Sequence, residues 1–287
     1  MINPEAVAQT LEVFQSSWSM EQRRPDGFEW TLEEKFRKVA EAGYAGLSID
    51  MGSGDYPTVE QCKPLFSEYG LGNILVAFPT TVESLKPVFD MANELDSRFV
   101  AINAKYFPFA PAPGAEYVRE CLTLANSMEV EAHFELHRLT LTNDLFYTAQ
   151  LMDLVPEMEI VADLSHAVVS REIELPLDEL HERLFFKVID RAAGLQGRVA
   201  TREQVQISLT FEQHKPWVLL FESWWLRAMR KWRARKPAGA VLNFLCELGP
   251  PPYAITGEDG YELVDRWDQA LLLKATAERL WVESGVD

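Results

Sequence analysis

The alternation of helix and strand is clearest in TLEEKFRKVAEAGYAGLSID (31–50). Thr31 and Glu34 have the spacing of a capping box, and apolar residues then recur at helical intervals until Gly43. The apolar run AGLSID (45–50) follows directly and predicts a buried strand. Similar helix starts recur at Thr58 and Thr210, each with a glutamine three residues later.

Short apolar runs of this kind recur along the whole chain, between segments with helical periodicity. They predict eight strands: LEVFQSSW (11–18), AGLSID (45–50), NILVAF (73–78), RFVAINA (98–104), VEAHFEL (130–136), EIVADLS (159–165), FFKVID (185–190) and AVLNFLCEL (240–248). A last helix is predicted over 261–283. Eight such units over 287 residues favour a single (β/α)8 TIM barrel domain, although an open doubly wound sheet uses the same alternation.

The charge balance limits the partners of the chain. Lys and Arg number 27 and Asp and Glu number 44, so the net charge is −17. This charge repels nucleic acid and anionic membranes, and we expect a small-molecule substrate instead. The basic residues between Arg227 and Lys236 fall where a helix should end, and there they suit the helix dipole.

Cellular location is also an expectation from composition. Three cysteines without CxxC spacing indicate reduced thiols. The sequence has no leader-like N-terminus and no long apolar window, which predicts a cytoplasmic protein that does not span a membrane. The tryptophans at 217–232 predict outer-ring packing or a subunit interface, which leaves a homo-oligomer open. The polar stretch 191–216 is interpreted as a long loop at the catalytic end of the barrel that could serve as a lid.

Acidic residues follow the predicted strands at the end where barrels carry their active sites. Glu135, Asp163, Asp190 and Glu247 end strands five to eight, which are consecutive around the barrel. A polar residue at a strand end often only caps the next helix. Four converging carboxylates would however repel each other, and a divalent ion would relieve this. Oxygen ligands favour Mn2+ or Mg2+, with Zn2+ or Co2+ as alternatives.

Other polar and aromatic side chains at the strand ends are candidates for substrate binding. Two histidines near the acids could bind hydroxyls or transfer protons, and two arginines could grip an anionic group. The candidates are Trp18, Asn103, His137, Arg138, His166 and Arg191.

The segments FELHR (134–138), ADLSHAVV (162–169) and CELGPPPYAITG (246–257) resemble the sugar phosphate isomerase/epimerase family. This family shares the xylose isomerase-like TIM barrel with endonuclease IV and the ketose 3-epimerases. The resemblance covers nearly the whole chain in architecture, but its motifs are short. They indicate the superfamily and the position of the site better than the reaction.

The resemblance implies roles for individual residues. Glu135, Asp163 and Glu247 match the family's metal ligands after strands five, six and eight, and His166 matches a histidine that commonly contacts substrate. After strand seven the family usually has His-x-Arg or a near variant. Here the predicted strand ends in Asp190 and Arg191, so that the ligand set would be all oxygen if Asp190 replaces the histidine.

Three functions are compatible with these residues. The leading hypothesis is a metal-dependent isomerase or epimerase that abstracts the proton alpha to a carbonyl, with Glu135 and Glu247 as acid and base. The second is a lyase or dehydratase that uses the same enolate chemistry. The third is a non-catalytic barrel that serves as a subunit of a larger complex.

Overall fold

The computed structural model describes residues 8–52 and 54–285, and these form a closed parallel barrel. Its strands follow each other around the barrel in chain order, and β1 pairs with β8 to close it. The (β/α)8 TIM barrel predicted from the sequence is confirmed. The strands are β1 (Thr10–Ser16), β2 (Gly46–Asp50), β3 (Gly72–Ala77), β4 (Val100–Ile102), β5 (Ala132–Glu135), β6 (Ile160–Ala162), β7 (Ala192–Gly197) and β8 (Val241–Cys246).

Helices lie outside the barrel between the strands. They are α1 (Leu32–Glu41), α2 (Val59–Tyr69), α3 (Lys86–Leu95), α4 (Pro111–Ser127), α5 (Leu145–Leu154), α6 (Leu164–Ser170), α7 (Glu179–Ile189), α8 (Lys215–Arg235) and α9 (Arg266–Glu283). Short 3-10 turns lie at Trp18–Met20, Glu83–Leu85 and Glu212–His214. Within the described ranges, no helix combines the length and apolar composition needed to cross a membrane.

Local capping explains where several helices begin. Thr31 and Thr58 each form the predicted capping box, because the side chain accepts from the backbone three residues on and that residue's side chain accepts in return. The helix start predicted at Thr210 is wrong. There the chain forms the short turn at Glu212–His214, and α8 begins at Lys215.

The seventh predicted strand is also wrong. Residues 185–190 are the last turn of α7 and its C-cap, and β7 is the following segment AAGLQG (192–197). FFKVID is apolar because Phe185 and Val188 on this helix are packed against the barrel. The true strand consists mostly of small residues, and it closes the barrel between β6 and β8. Its glycines allow this: a Cβ on Gly197 would lie 2.5 Å from the Phe244 ring.

The buried apolar residues form two hydrophobic clusters, one inside the barrel and one outside its strands. The inner cluster is small and contains Phe14, Ile74, Val76, Phe99, Ala101, Val161 and Leu245. The larger cluster lies between the strands and the helices, and it includes the buried Trp224, Trp225 and Trp232 of α8. The tryptophan-rich helix therefore serves the outer-ring packing that the sequence predicted.

Candidate functional site

Three buried carboxylates meet at the C-terminal end of the barrel. Glu135 is the last residue of β5, Asp163 directly follows β6, and Glu247 directly follows β8. Each is at most 4% exposed. One ligand atom from each of the three lies within 4.8 Å of those of the other two. The sequence placed these three residues together correctly, and we refer to them as the carboxylate cluster.

Arg198 extends from the end of β7 into this cluster. Its Nη2 donates to Oδ2 of Asp163 at 2.9 Å and to Oε2 of Glu247 at 2.5 Å. Strand register brings these groups together, because β7 lies between β6 and β8 and the Glu247 backbone N–H donates to the carbonyl of Gly197. The side chain of Arg198 is only 1% exposed. Sequence reasoning missed it because the seventh strand was placed one segment too early.

Glu135 and Asp163 have further hydrogen bonds that fix their orientation. Oε2 of Glu135 accepts from the Asn103 amide at 2.8 Å. Oδ1 of Asp163 accepts from the backbone N–H and the hydroxyl of Ser165, so that Asp163 is also the N-cap of α6. Capping and participation in the cluster, which the sequence left as alternatives for this residue, are therefore both present.

Burial and mutual repulsion shift the protonation of the cluster. Burial raises the pKa of Glu135 well above its usual range, and the negative charges of Glu247 and Asp163 raise it further. Burial also raises the pKa of Glu247, to about 8, although Arg198 opposes this. For Arg198, burial disfavours the charge, but the neighbouring carboxylates raise its pKa above the ordinary value. The cluster therefore holds protonatable carboxyl groups beside a permanent cation.

The two predicted histidines lie together beside the cluster. The ring centroids of His137 and His166 are 3.9 Å apart, and Nε2 of His166 lies 3.4 Å from Oδ2 of Asp163. Burial lowers the pKa of both histidines, that of His137 to about 3, and the charge of Arg198 lowers both further. Both imidazoles are therefore neutral near pH 7 and can exchange hydrogen bonds without carrying charge.

A cavity of about 160 Å³ opens above the cluster. This is room for a small metabolite. Trp18 and Tyr253 form an edge-to-face pair in its wall, with ring centroids 5.0 Å apart. Its lining residues are Trp18, Asp50, Gly52, Val76, Phe78, Asn103, Glu135, His137, Arg198, Glu247 and Tyr253. Of the predicted substrate-binding residues, Trp18, Asn103 and His137 thus border one cavity.

Arg138 lies beside this cavity rather than in it. Its guanidinium packs over the Tyr253 ring at 4.9 Å, and it lines a neighbouring depression with Gln206. Gln206 also ties the loop after β7 to the loop after β8, through two hydrogen bonds with the backbone of Gly249. The loop that the sequence interpreted as a lid is therefore anchored at the mouth of the barrel.

Asp190 and Arg191 do not belong to the site, and their predicted placement is wrong. They precede β7, whereas the cluster follows the strand ends, roughly 20 Å away along the barrel at about 3.3 Å per residue. Both oxygens of Asp190 accept from Arg227, at 2.6 and 2.7 Å. Arg191 donates to four backbone carbonyls, including that of Met152 at 2.7 Å. Both residues therefore make structural hydrogen bonds at the N-terminal end of the barrel, opposite the carboxylate cluster.

The cluster can be tested for its fit to a divalent ion. The spacing of its oxygens is one that an ion could bridge. Arg198 already occupies one oxygen each of Asp163 and Glu247, and Ser165 occupies the other oxygen of Asp163. An ion bound to the cluster, with its ligand oxygens at about 2.1 Å, would lie a few ångströms from the guanidinium charge. The carboxylate cluster does not fit a divalent ion while Arg198 holds this position. Glu135, His137 and His166 form a second group whose ligand atoms are close enough to hold one, so the Mn2+ or Mg2+ site stays a prediction.

Solved structures with the same barrel provide a comparison. D-allulose 3-epimerase from Methylomonas sp. gives a TM-score of 0.61 at 14% identity, covering 96% of this chain and 99% of that chain. A xylose isomerase-like TIM barrel protein from Mycobacterium smegmatis, solved in complex with magnesium, gives 0.60 at 13% identity, covering 94% and 97%. The probable 3-DHS dehydratase AsbF from Bacillus anthracis gives 0.56 at 14% identity, covering 94% and 98%.

No protein-family model and no curated protein matches the sequence. At 12–14% identity, the similarity to solved structures establishes the fold and not the reaction. The chain is similar in fold to sugar epimerases and to other xylose isomerase-like TIM barrels.

Proposed function

We propose that this protein is an isomerase or epimerase that acts on a sugar or a related hydroxy-carbonyl compound. The observation that carries the proposal is the pair Glu135 and Glu247, two buried carboxyl groups that border one small cavity and have raised pKa values. Interacting carboxyl groups of this kind share protons, so that one can accept a proton while the other donates one. Acid and base are the groups that carbon-acid chemistry needs.

In the proposed reaction, one carboxylate of this pair removes the proton alpha to the carbonyl. The C–H electron pair forms the carbon–carbon double bond, and the π pair of the carbonyl moves onto its oxygen, which gives an enediolate. Return of a proton to the same carbon from the opposite face gives an epimer. Its return to the former carbonyl carbon, with transfer of the proton of the neighbouring hydroxyl to the former carbonyl oxygen, gives an isomer. Neutral His137, whose ring borders the cavity, is placed to hydrogen-bond a substrate hydroxyl.

Sugar as the substrate class is supported by the fold comparison and by the cavity. The neighbours include a D-allulose 3-epimerase and an L-ribulose 3-epimerase. The cavity combines polar donors and acceptors with the rings of Trp18, Phe78 and Tyr253, and it is small. A compact polyhydroxylated molecule suits this mixture better than a long apolar one.

Exchange of carbon-bound hydrogen with solvent tests the proposal before the substrate is identified. Ketopentoses, ketohexoses and small hydroxy-ketones are incubated with the protein in D2O and followed by NMR and mass spectrometry. We expect one deuteron at the carbon alpha to the carbonyl in at least one compound, lost in Glu135→Gln and Glu247→Gln. Asp190→Asn is the matched control, since its carboxylate lies at the other end of the barrel.

Other outcomes would indicate the alternative functions. A product that has lost water would favour the dehydratase, in line with the dehydratase among the fold neighbours. No exchange with any compound, together with a stable protein partner, would favour the non-catalytic subunit and contradict the proposal.

A further inference from the structure

The position of Arg198 follows from the order of the strands. β7 lies between β6 and β8, so that a side chain directed inward at its C-terminal end lies between Asp163 and Glu247. A buried ion pair of this kind is stable only if its charges stay compensated. Removal of Arg198 would leave the three buried acids without this compensating charge.

This arrangement gives Arg198 the role that the sequence predicts for a metal. Converging carboxylates need a cation to relieve their repulsion. A guanidinium relieves it in the same way, and it also donates hydrogen bonds to the carboxylate oxygens. Nη2 of Arg198 makes this contact with two of the three acids in the carboxylate cluster.

The rest of the guanidinium indicates a ligand. Among the described residues, Nε and Nη1 of Arg198 have no hydrogen-bond partner, although both atoms are buried. Buried donors are almost always paired with protein, water or ligand, and the three N–H bonds on these two atoms are an exception that needs a partner. Arg198 lines the 160 Å³ cavity, so that a molecule bound there can supply the acceptor.

Aromatic packing holds the guanidinium in this place. Its centre lies 5.0 Å from the Tyr253 ring centroid and 5.9 Å from that of Trp18. The Trp18–Tyr253 pair in turn packs against Gly249, where a Cβ would lie 2.4 Å from the Trp18 ring. These contacts stabilise the cation on its π faces and leave its N–H edges available.

We propose that Arg198 is the resident cation of the carboxylate cluster, in the position where a divalent ion would otherwise bind, and that one of its free N–H groups donates a hydrogen bond to the substrate carbonyl oxygen. The second part rests on the proposed function, because this oxygen is the one on which negative charge develops. A preorganised cation at that oxygen stabilises the enediolate relative to the ketone. The reaction then needs no added metal.

The first test uses Mn2+ alone, titrated by calorimetry into protein freed of metal with a chelator. Wild type and the control Arg227→Met should show no stoichiometric site. Arg198→Met should bind one Mn2+ at least about 30-fold more tightly than wild type, the factor expected for removing a unit charge about 4 Å from a divalent ion at the dielectric constant of water. Arg227 is a fair control because it also pairs with a carboxylate, Asp190, but away from the cluster.

The second test separates charge from hydrogen bonding. Arg198→Lys retains the positive charge but loses the guanidinium donors. We expect it to exclude Mn2+ as wild type does, while its exchange rate in D2O falls at least about 100-fold. Wild-type exchange should survive treatment with the chelator.

The outcomes distinguish the cation assignment from the proposed function. One tightly bound Mn2+ in wild type, with exchange lost on chelation, would overturn the assignment and leave the isomerase or epimerase in place. The expected Mn2+ pattern without exchange on any compound would count against the function and leave the assignment. If Arg198→Met does not fold, the wild-type titration decides together with Asp163→Asn. A stoichiometric site that Asp163→Asn removes lies in the carboxylate cluster and would overturn the assignment, whereas the other group that could hold an ion consists of Glu135, His137 and His166.

Discussion

His137 should make the fold sensitive to acid, and its replacement by glutamine should reduce that sensitivity. The ring is partly buried beside His166 and close to the positive charges of Arg198, Lys105 and Arg138. Burial, opposed by a hydrogen bond with the Arg138 carbonyl, lowers its pKa from 6.5 to about 3. The folded protein therefore keeps this ring neutral at a pH at which the unfolded chain binds a proton.

The size of the effect follows from the two pKa values. A histidine whose pKa is lowered in the folded state does not reduce stability when the pH is above its unfolded pKa of 6.5. Below pH 6.5 the unfolded chain gains a proton that the folded protein does not, and the loss of stability grows until the pH reaches the folded pKa. A pH of 5 is about 1.5 units below the pKa of the ring in the unfolded chain, so that the unfolded ring is protonated. The folded ring is still neutral at this pH. At about 1.36 kcal/mol per unit, wild type loses about 2 kcal/mol through this one residue.

Urea unfolding of wild type and His137→Gln between pH 5 and pH 8 measures the difference. The two proteins should differ in unfolding free energy by a constant amount above pH 7.5. Below pH 6.5 wild type should lose stability relative to the variant, by about 2 kcal/mol at pH 5. Parallel curves over the whole range would refute the reasoning, because they would mean that the folded ring titrates like a free histidine.

Three further predictions concern the cluster, the opposite end of the barrel and β7. Glu247→Gln should abolish exchange, and its melting temperature should rise relative to that of wild type between pH 5 and pH 8. Over this range the acid ionises in the unfolded chain, where its pKa is 4.5, but stays protonated in the folded protein up to about pH 8, so that wild type loses stability; a difference independent of pH would contradict this. Asp190→Asn should leave exchange intact and cost about 1 kcal/mol or less in urea unfolding, since its partner Arg227 is partly exposed; loss of exchange would return Asp190 to the site. Gly197→Ala should lower the free energy of unfolding by about 1–3 kcal/mol, because its Cβ would clash with the Phe244 ring of β8. Gly194→Ala, where the nearest atom is 3.4 Å from the added Cβ, should lower it clearly less, and equal losses would argue against this packing.

Much of the fold follows from local patterns in the sequence. Thr31 and Thr58 form the predicted capping boxes because the interaction is complete within four residues. Seven of the eight strands lie within the runs predicted for them to within a residue or two, since each is a short apolar run with polar flanks. The barrel then follows from the number of units.

The seventh strand shows where local patterns fail. FFKVID is more apolar than AAGLQG, but it is the buried face of a helix. The true strand is chosen by its neighbours, because only small residues fit where Gly197 approaches Phe244. This is a tertiary constraint, and the spacing of apolar residues in the sequence carries no information about it.

That single error changed the interpretation of the site. The sequence identified Glu135, Asp163 and Glu247, because each carboxylate directly ends an apolar run. The predicted site contained Asp190 where the structure has Arg198. The prediction therefore put an anion in the place of a cation. The charge of a buried site therefore depends on which residue ends each strand. One misplaced strand in the prediction changes the charge predicted at that position from positive to negative.

Glu135 and Glu247, with Arg198 as their cation, should exchange the proton alpha to a carbonyl. The most direct measurement is deuterium incorporation from D2O into ketoses by protein treated with a chelator. We expect incorporation at the carbon alpha to the carbonyl, at the rate of untreated protein, and its loss in Glu247→Gln. Loss of incorporation after chelation would contradict the role of Arg198 if added Mn2+ restores it, and would contradict the proton exchange itself if added Mn2+ does not.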